Sequence, residues 1–102
     1  MTKAVSIEPS KQPILRIRYC PGCGWMLRAT WLAQEVLITF AQEIRSVSLE
    51  PVKETAGVFQ VWLNDKPVWC RKLDSGFPQP KELKQRIRDL ICPDRDLGHS
   101  DK

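Results

Sequence analysis

The 102-residue chain has a single histidine, His99, and it lies in a polar tail. A nucleophile activated by a neighbouring histidine is therefore not the first reading. No apolar run approaches the ~20 residues that cross a bilayer. "MTKAVSIEPSKQP" has no continuous apolar stretch of the signal-peptide kind, so the expectation is a cytoplasmic protein with no membrane partner. The chain has only one C-x-x-C, formed by Cys20 and Cys23, while Cys70 and Cys92 stand alone. Structural zinc sites usually draw on two paired knuckles, so neither a metal nor another cofactor is expected. Internal repeats and low-complexity segments are also missing.

Positive charge is present but not concentrated. The net charge is +4, with four basic residues against Glu8 in 1–18 and seven against four acids in 71–95. The middle, 19–70, carries four basic and five acidic residues. A nucleic-acid footprint would be a basic stripe with stacking aromatics, so no nucleic-acid partner is expected. Hydrophobic residues make up 42 % of the chain, enough for one modest core.

Residues 1–13 hold Pro9, Pro13, Ser10 and Lys11 without periodicity and read as a disordered leader. "ILRIRY", 14–19, alternates and reads as a strand. "CPGCG" must turn, given Pro21, Gly22 and Gly24. A helix is expected over Trp25–Ala41, beginning at Cys23 or just after it. Leu27, Trp31, Gln34 and Ile38 share one side, and Trp25, Leu32, Val36 and Phe40 form a second apolar flank, so this helix is expected to be largely buried. Further strands are expected at 44–50, 57–63 and 67–72, the second of these covered on both faces. The last two face each other across the "NDK" turn. Pro80 opens a second helix, with Leu83, Ile87, Leu90 and Ile91 as its apolar stripe and Pro93 as its stop. Residues 93–102 read as a polar tail.

The order is β-α-β-β-β-α, with the first two strands parallel across a helical crossover. The expected architecture is thus α/β and thioredoxin-like, a mixed four-stranded sheet with two main helices over 14–92. The C-x-x-C falls between the first strand and the first helix. That placement has a chemical meaning. The attacking species in disulfide exchange is a thiolate, and a free cysteine has a pKa of about 8.5. A helix N-terminus carries unpaired N–H groups and partial positive charge, which favour the thiolate. Two intervening residues let the sulfurs close a disulfide around one turn. Pro21 removes a donor next to Cys20, whereas Gly22 and Gly24 let a partner approach closely and leave the N–H groups of Cys23 and Gly24 available.

Cys70 and Cys92 read as small buried residues. Trp25 is a candidate to shield the dithiol or to meet a partner, and equally a core residue at the helix start. Trp31, Trp62 and Trp69 read as core or sheet packing. "SGFP", 75–78, reads as a turn on a loop within reach of the motif, which makes Phe77 a candidate contact. The fourth strand presents Trp69 at an edge and leaves room for a homodimer.

"YCPGCGW" after the first strand, "AGVFQVWLN" in the third, "WCRK", "SGFP" and "KELKQRIRDLI" together resemble the bacterial branch of the selenoprotein W/T/H, or Rdx, family, as does the tail "PDRDLGHSD". The resemblance spans about residues 14–101. It implies a thioredoxin-like fold and a redox role in thiol homeostasis, with glutathione or thioredoxin- and glutaredoxin-type proteins as partners. Cys23 stands where animal members carry selenocysteine, which implies that it is the nucleophile; thioredoxin logic instead has the first cysteine, Cys20, attack. Thioredoxin also has a cis-proline before its third strand. Here that place is "ETAG", 54–57, so Gly57 joins Pro21, Gly22, Gly24, Trp25 and Phe77 as a candidate partner contact. Behind a thiol–disulfide oxidoreductase stand two other readings, a non-enzymatic redox-regulated interaction module and, last, a zinc-binding domain.

Overall fold

Alternation in "ILRIRY" sends Leu15, Ile17 and Tyr19 into the core and leaves Ile14, Arg16 and Arg18 half-buried on the opposite side. A computed structural model describes residues 11–98. Its elements are β1 (Ile14–Tyr19), α1 (Met26–Thr39), β2 (Ser46–Pro51), β3 (Phe59–Leu63), β4 (Lys66–Cys70) and α2 (Pro80–Ile91). The strands form one sheet in the order β2-β1-β3-β4. β1 runs parallel to β2 and antiparallel to β3, and β3 runs antiparallel to β4. This is the mixed four-stranded sheet with two helices that the sequence implies, and its strand order fits the thioredoxin-like description.

Both helices pack on one face of the sheet. Ala29, Leu32, Ala33 and Val36 of α1 and Leu83 and Ile87 of α2 share a core with Leu15, Ile17, Tyr19, Phe59, Val61 and Leu63. Lys84 of α2 also reaches Glu35 of α1 at 2.8 Å. Among the described residues the other sheet face carries no helix, and polar side chains satisfy one another across it. Arg16 pairs with Glu50 through two bonds of 2.9 and 3.0 Å, and the Ser48 hydroxyl donates to the same carboxylate. Arg18 and the Trp62 indole both donate to Gln60. β3 is therefore buried on one face only, not on two. Its Gln60 and Trp62 alternate with core residues and face the uncovered side.

α1 departs from expectation more sharply. Leu27, Trp31 and Ile38 are exposed, at 83 %, 42 % and 78 %. The flank of Leu32, Val36 and Phe40 is the one that packs inward. The physical reason is the two-layer build: α1 has the sheet and α2 on one side and, among the described residues, no element on the other. Trp69 is likewise turned inward, its indole donating to the Gly76 carbonyl at 2.8 Å, so it is not presented at the edge although β4 is an edge strand.

Strand limits shift by a residue or two. β3 begins at Phe59 because Gly57 bends the chain with φ +81°. At the other end of the domain, Arg95 binds Glu43 at 2.7 Å and covers the Phe40 ring, and Leu97 packs against the core. Residues 1–10 of the expected leader and 99–102 of the expected tail, including His99, lie outside the described residues.

Candidate redox site

β1 delivers the motif. Its last residue, Tyr19, is in the core, and the next residue, Cys20, is only 4 % exposed. The Cys20 amide donates to the Val58 carbonyl at 2.8 Å, which pins the motif to the loop before β3. Pro21 and Gly22 then carry the chain outward, and Cys23 is exposed. The Gly24 amide donates back to the Pro21 carbonyl at 3.2 Å, so it is engaged in the turn rather than available. Gly24 has φ +77°, a conformation in which any side chain is strained. The turn brings the Cys20 and Cys23 Cα atoms to 5.4 Å and bonds the two sulfurs.

α1 starts at Met26, three residues after Cys23, rather than at the cysteine itself. Trp25 is the capping residue and its side chain makes no cap bond. The first turn holds no acidic residue to offset the positive helix end. The helix thus begins two to three residues later than the sequence pattern suggests.

At Trp25, two residues past Cys23, residues far apart in sequence converge. Trp25, Phe59 and Phe77 meet edge to face, with ring centroids 4.9 to 6.3 Å apart. Such edge contacts suit the ring quadrupole and hold all three side chains. The Arg28 guanidinium lies 4.1 Å from the Phe77 ring centroid, and that of Arg71 lies 5.1 Å from the Trp25 ring. Arg71 also donates twice to the Gly57 carbonyl, at 3.0 and 3.1 Å. A Cβ on Gly57 would sit 3.2 Å from Arg71 Nη2, so the glycine permits a close approach as well as its positive φ. An open groove of about 410 Å³ runs along Gly24, Trp25, Leu27, Arg28 and Trp31. A smaller hollow of about 160 Å³ is lined by Gly57, Val58, Cys70 and Arg71, among others.

Cys20 and Cys23 are bonded across the Pro21–Gly22 turn, Trp25 two residues on meets Phe77, and Gly57 is tied to Arg71, whose guanidinium lies over Trp25. Arg28 and Arg71 meet the same two rings. Their charge is visible in the sequence, but their stacking depends on where Phe77 and Trp25 fall in space. Cys70 and Cys92 are half-buried rather than buried. Cys92 lies beyond the end of α2, where burial first, and Glu43 second, push its thiol pKa up. Among the described residues no three His, Cys, Asp or Glu side chains group as metal ligands. No described helix is long and apolar enough to cross a membrane.

Comparison with known proteins agrees with this geometry. Residues 14–89 match the model of the Rdx family. A selenoprotein W-related protein from Vibrio cholerae has a similar structure, with TM-score 0.75 and 47 % identity over 79 % of this chain and 99 % of that one. A protein from Bordetella parapertussis is similar at TM-score 0.75 and 46 % identity, over 78 % and 99 % of the two chains. Among curated proteins, Migration and invasion enhancer 1 from Mus musculus is 29 % identical over 72 residues, and its Bos taurus counterpart is 27 % identical over 81. The match takes in 71 % of this chain and 59 % of the mouse protein's length, and 79 % and 67 % for the bovine one.

Proposed function

The chain belongs to the Rdx family, and from that premise we propose that it is a thiol–disulfide oxidoreductase whose Cys20–Cys23 pair exchanges two electrons with a partner. The observation that carries this reading is the unequal pair: Cys23 is exposed while Cys20 is enclosed, within disulfide reach of each other, ahead of α1. Cys23 is the sulfur that meets the partner. In the reduced protein its thiolate attacks a partner disulfide, that S–S bond breaks, and one thiol leaves with a proton. Cys20 then attacks the mixed disulfide at Cys23. The second partner thiol leaves, and the Cys20–Cys23 disulfide remains. Pro21, Gly22, Gly24, Trp25, Gly57 and Phe77 form the surface the partner crosses. Glutathione and thioredoxin- or glutaredoxin-type proteins fit as partners, in cytoplasmic thiol homeostasis.

The test is a redox titration of the full chain in glutathione buffers, read by thiol trapping and mass spectrometry. A two-electron transition at Cys20–Cys23 is expected. Cys20→Ser should accumulate a mixed disulfide on Cys23, and Cys23→Ser should not form one on Cys20. A pair that forms neither an internal nor a mixed disulfide at any potential sinks the reading. A second reading, a redox-regulated interaction module, is favoured by the exposed Leu27 and Trp31 beside the motif. It predicts partner binding that differs between the oxidised and reduced forms without turnover. A homodimer is compatible with either reading, and sedimentation at several concentrations tests it.

A further inference from the structure

Two guanidinium groups that have no carboxylate partner among the described residues meet the ring cluster of Trp25 and Phe77, which begins two residues after Cys23. Arg28 is exposed on the first turn of α1, lines the groove beside Gly24 and Trp25, and stacks on Phe77. Arg71 is held by the Gly57 carbonyl and lies over Trp25, next to the loop whose Val58 carbonyl binds Cys20. Four carboxylates of the described residues are held by other cations: Glu35 by Lys84, Glu50 by Arg16, Asp74 by Arg86, and Glu43 by Arg95. Lys72 lines the same hollow as Arg71. The one acidic residue on the 54–58 loop, Glu54, is exposed.

Stacking on aromatic rings has a consequence for recognition. A guanidinium held over a ring keeps N–H donors at its edge for a planar anion; in Arg71, whose Nε and Nη2 donate to Gly57, the edge left is that of Nη1 and Nη2. Carboxylate and guanidinium geometries match in such an arrangement. A partner held at Cys23 reaches the groove that begins at Gly24, which Arg28 lines, and Trp25, which Arg71 covers.

On the premise that Cys20–Cys23 is an exchanging dithiol, we infer that Arg28 and Arg71 select partners by charge, so that the preferred substrates are disulfides of carboxylate-bearing thiols. The exchange is the one described above. The reduced dithiol supplies two electrons to the anionic disulfide, which leaves as two thiols. The two arginines act on the carboxylates and take no part in electron transfer.

The experiment uses the reduced full chain and three small disulfides: oxidised glutathione, which is net negative, bis(2-hydroxyethyl) disulfide, which is neutral, and cystamine, which is net positive. Each single-turnover rate is divided by that of 2-mercaptoethanol with the same disulfide, which removes the disulfide's intrinsic reactivity. At low salt the normalised rate should be about tenfold higher for the negative than for the positive disulfide, with the neutral one between. The ratio should collapse toward one in 1 M salt, where screening acts over about 3 Å. Arg28→Gln should lower the ratio about threefold, and Arg28→Glu should lower it further. Arg71→Gln should act in the same direction; because Arg71 also holds Gly57, its ratio is read beside a circular-dichroism check, and the Arg28 variants stand without it. A ratio near one at low salt, or a ratio that neither Arg28 variant moves, overturns the inference while leaving the dithiol reading intact. Failure to exchange with any of the three disulfides overturns the dithiol reading, and the inference with it.

Discussion

α1 has two apolar faces with opposite fates. Ala29, Leu32, Ala33 and Val36 are enclosed between the helix and the sheet, while Leu27, Trp31 and Ile38 face outward on the same helix. Both faces obey helical periodicity, so periodicity alone could not choose between them. The same contrast recurs in the motif that precedes the helix, where Cys20 is enclosed and Cys23 is open. Enclosure, rather than hydrophobicity, separates residues that hold the fold from residues that can meet a partner.

The strongest way to break this comparison is to truncate the two faces. Leu32→Ala should destabilise by about 2–5 kcal/mol, the usual range for a buried leucine, whereas Leu27→Ala should stay within about 0.5 kcal/mol. Chemical denaturation of both variants checks it; equal losses would mean that the outer face is covered in solution. Next come the two glycines around Cys23. Gly24→Ala should cost about 1–2 kcal/mol because a side chain must take a left-handed conformation, although an added Cβ meets no atom within 4 Å. Gly22, equally open and without a positive φ, should accept alanine with little change.

Thiol accessibility sharpens the contrast further. In the reduced protein, Cys23 should react with iodoacetamide about tenfold faster than Cys92, whose thiolate is disfavoured by burial. Peptide mapping of a labelling time course reads both sites at once. The smallest expected effect is in pH. The hydrogen bond from Arg16 is the main cause that holds the Glu50 carboxyl below its ordinary value of 4.5, and that from Arg86 does the same for Asp74 below 3.8. A carboxylate whose folded pKa is depressed stabilises the fold above its unfolded pKa and loses that contribution as pH falls through the folded value. Stability should therefore decline modestly below about pH 4.5, and Glu50→Gln should flatten part of the decline in acid titrations followed by fluorescence.

Much of the molecule was legible in advance. The alternation of Leu15, Ile17 and Tyr19 and the Pro80 start of α2 are short-range signals, and they hold. So does the position of C-P-G-C between a strand and a helix. Other features depend on which surfaces are covered. The outward stripe of Leu27, Trp31 and Ile38 looked like core, and Gln60 and Trp62 looked enclosed, because neither pattern reveals that both helices share one sheet face. Arg28 and Arg71 were visible only as charges.

What the sequence determined by itself is therefore local: the order of elements, the tight turn at Pro21–Gly24, and two sulfurs near enough to bond. Those features follow from backbone sterics and side-chain periodicity over a few residues. The tertiary structure decided the rest: which face of α1 is enclosed, which sulfur of the pair is open, and which cations meet the rings that follow it. Each of those depends on contacts between segments remote in the chain, such as Cys20 with Val58 and Arg71 with Gly57. Local preference carries no information about such contacts until the sheet has brought the segments together.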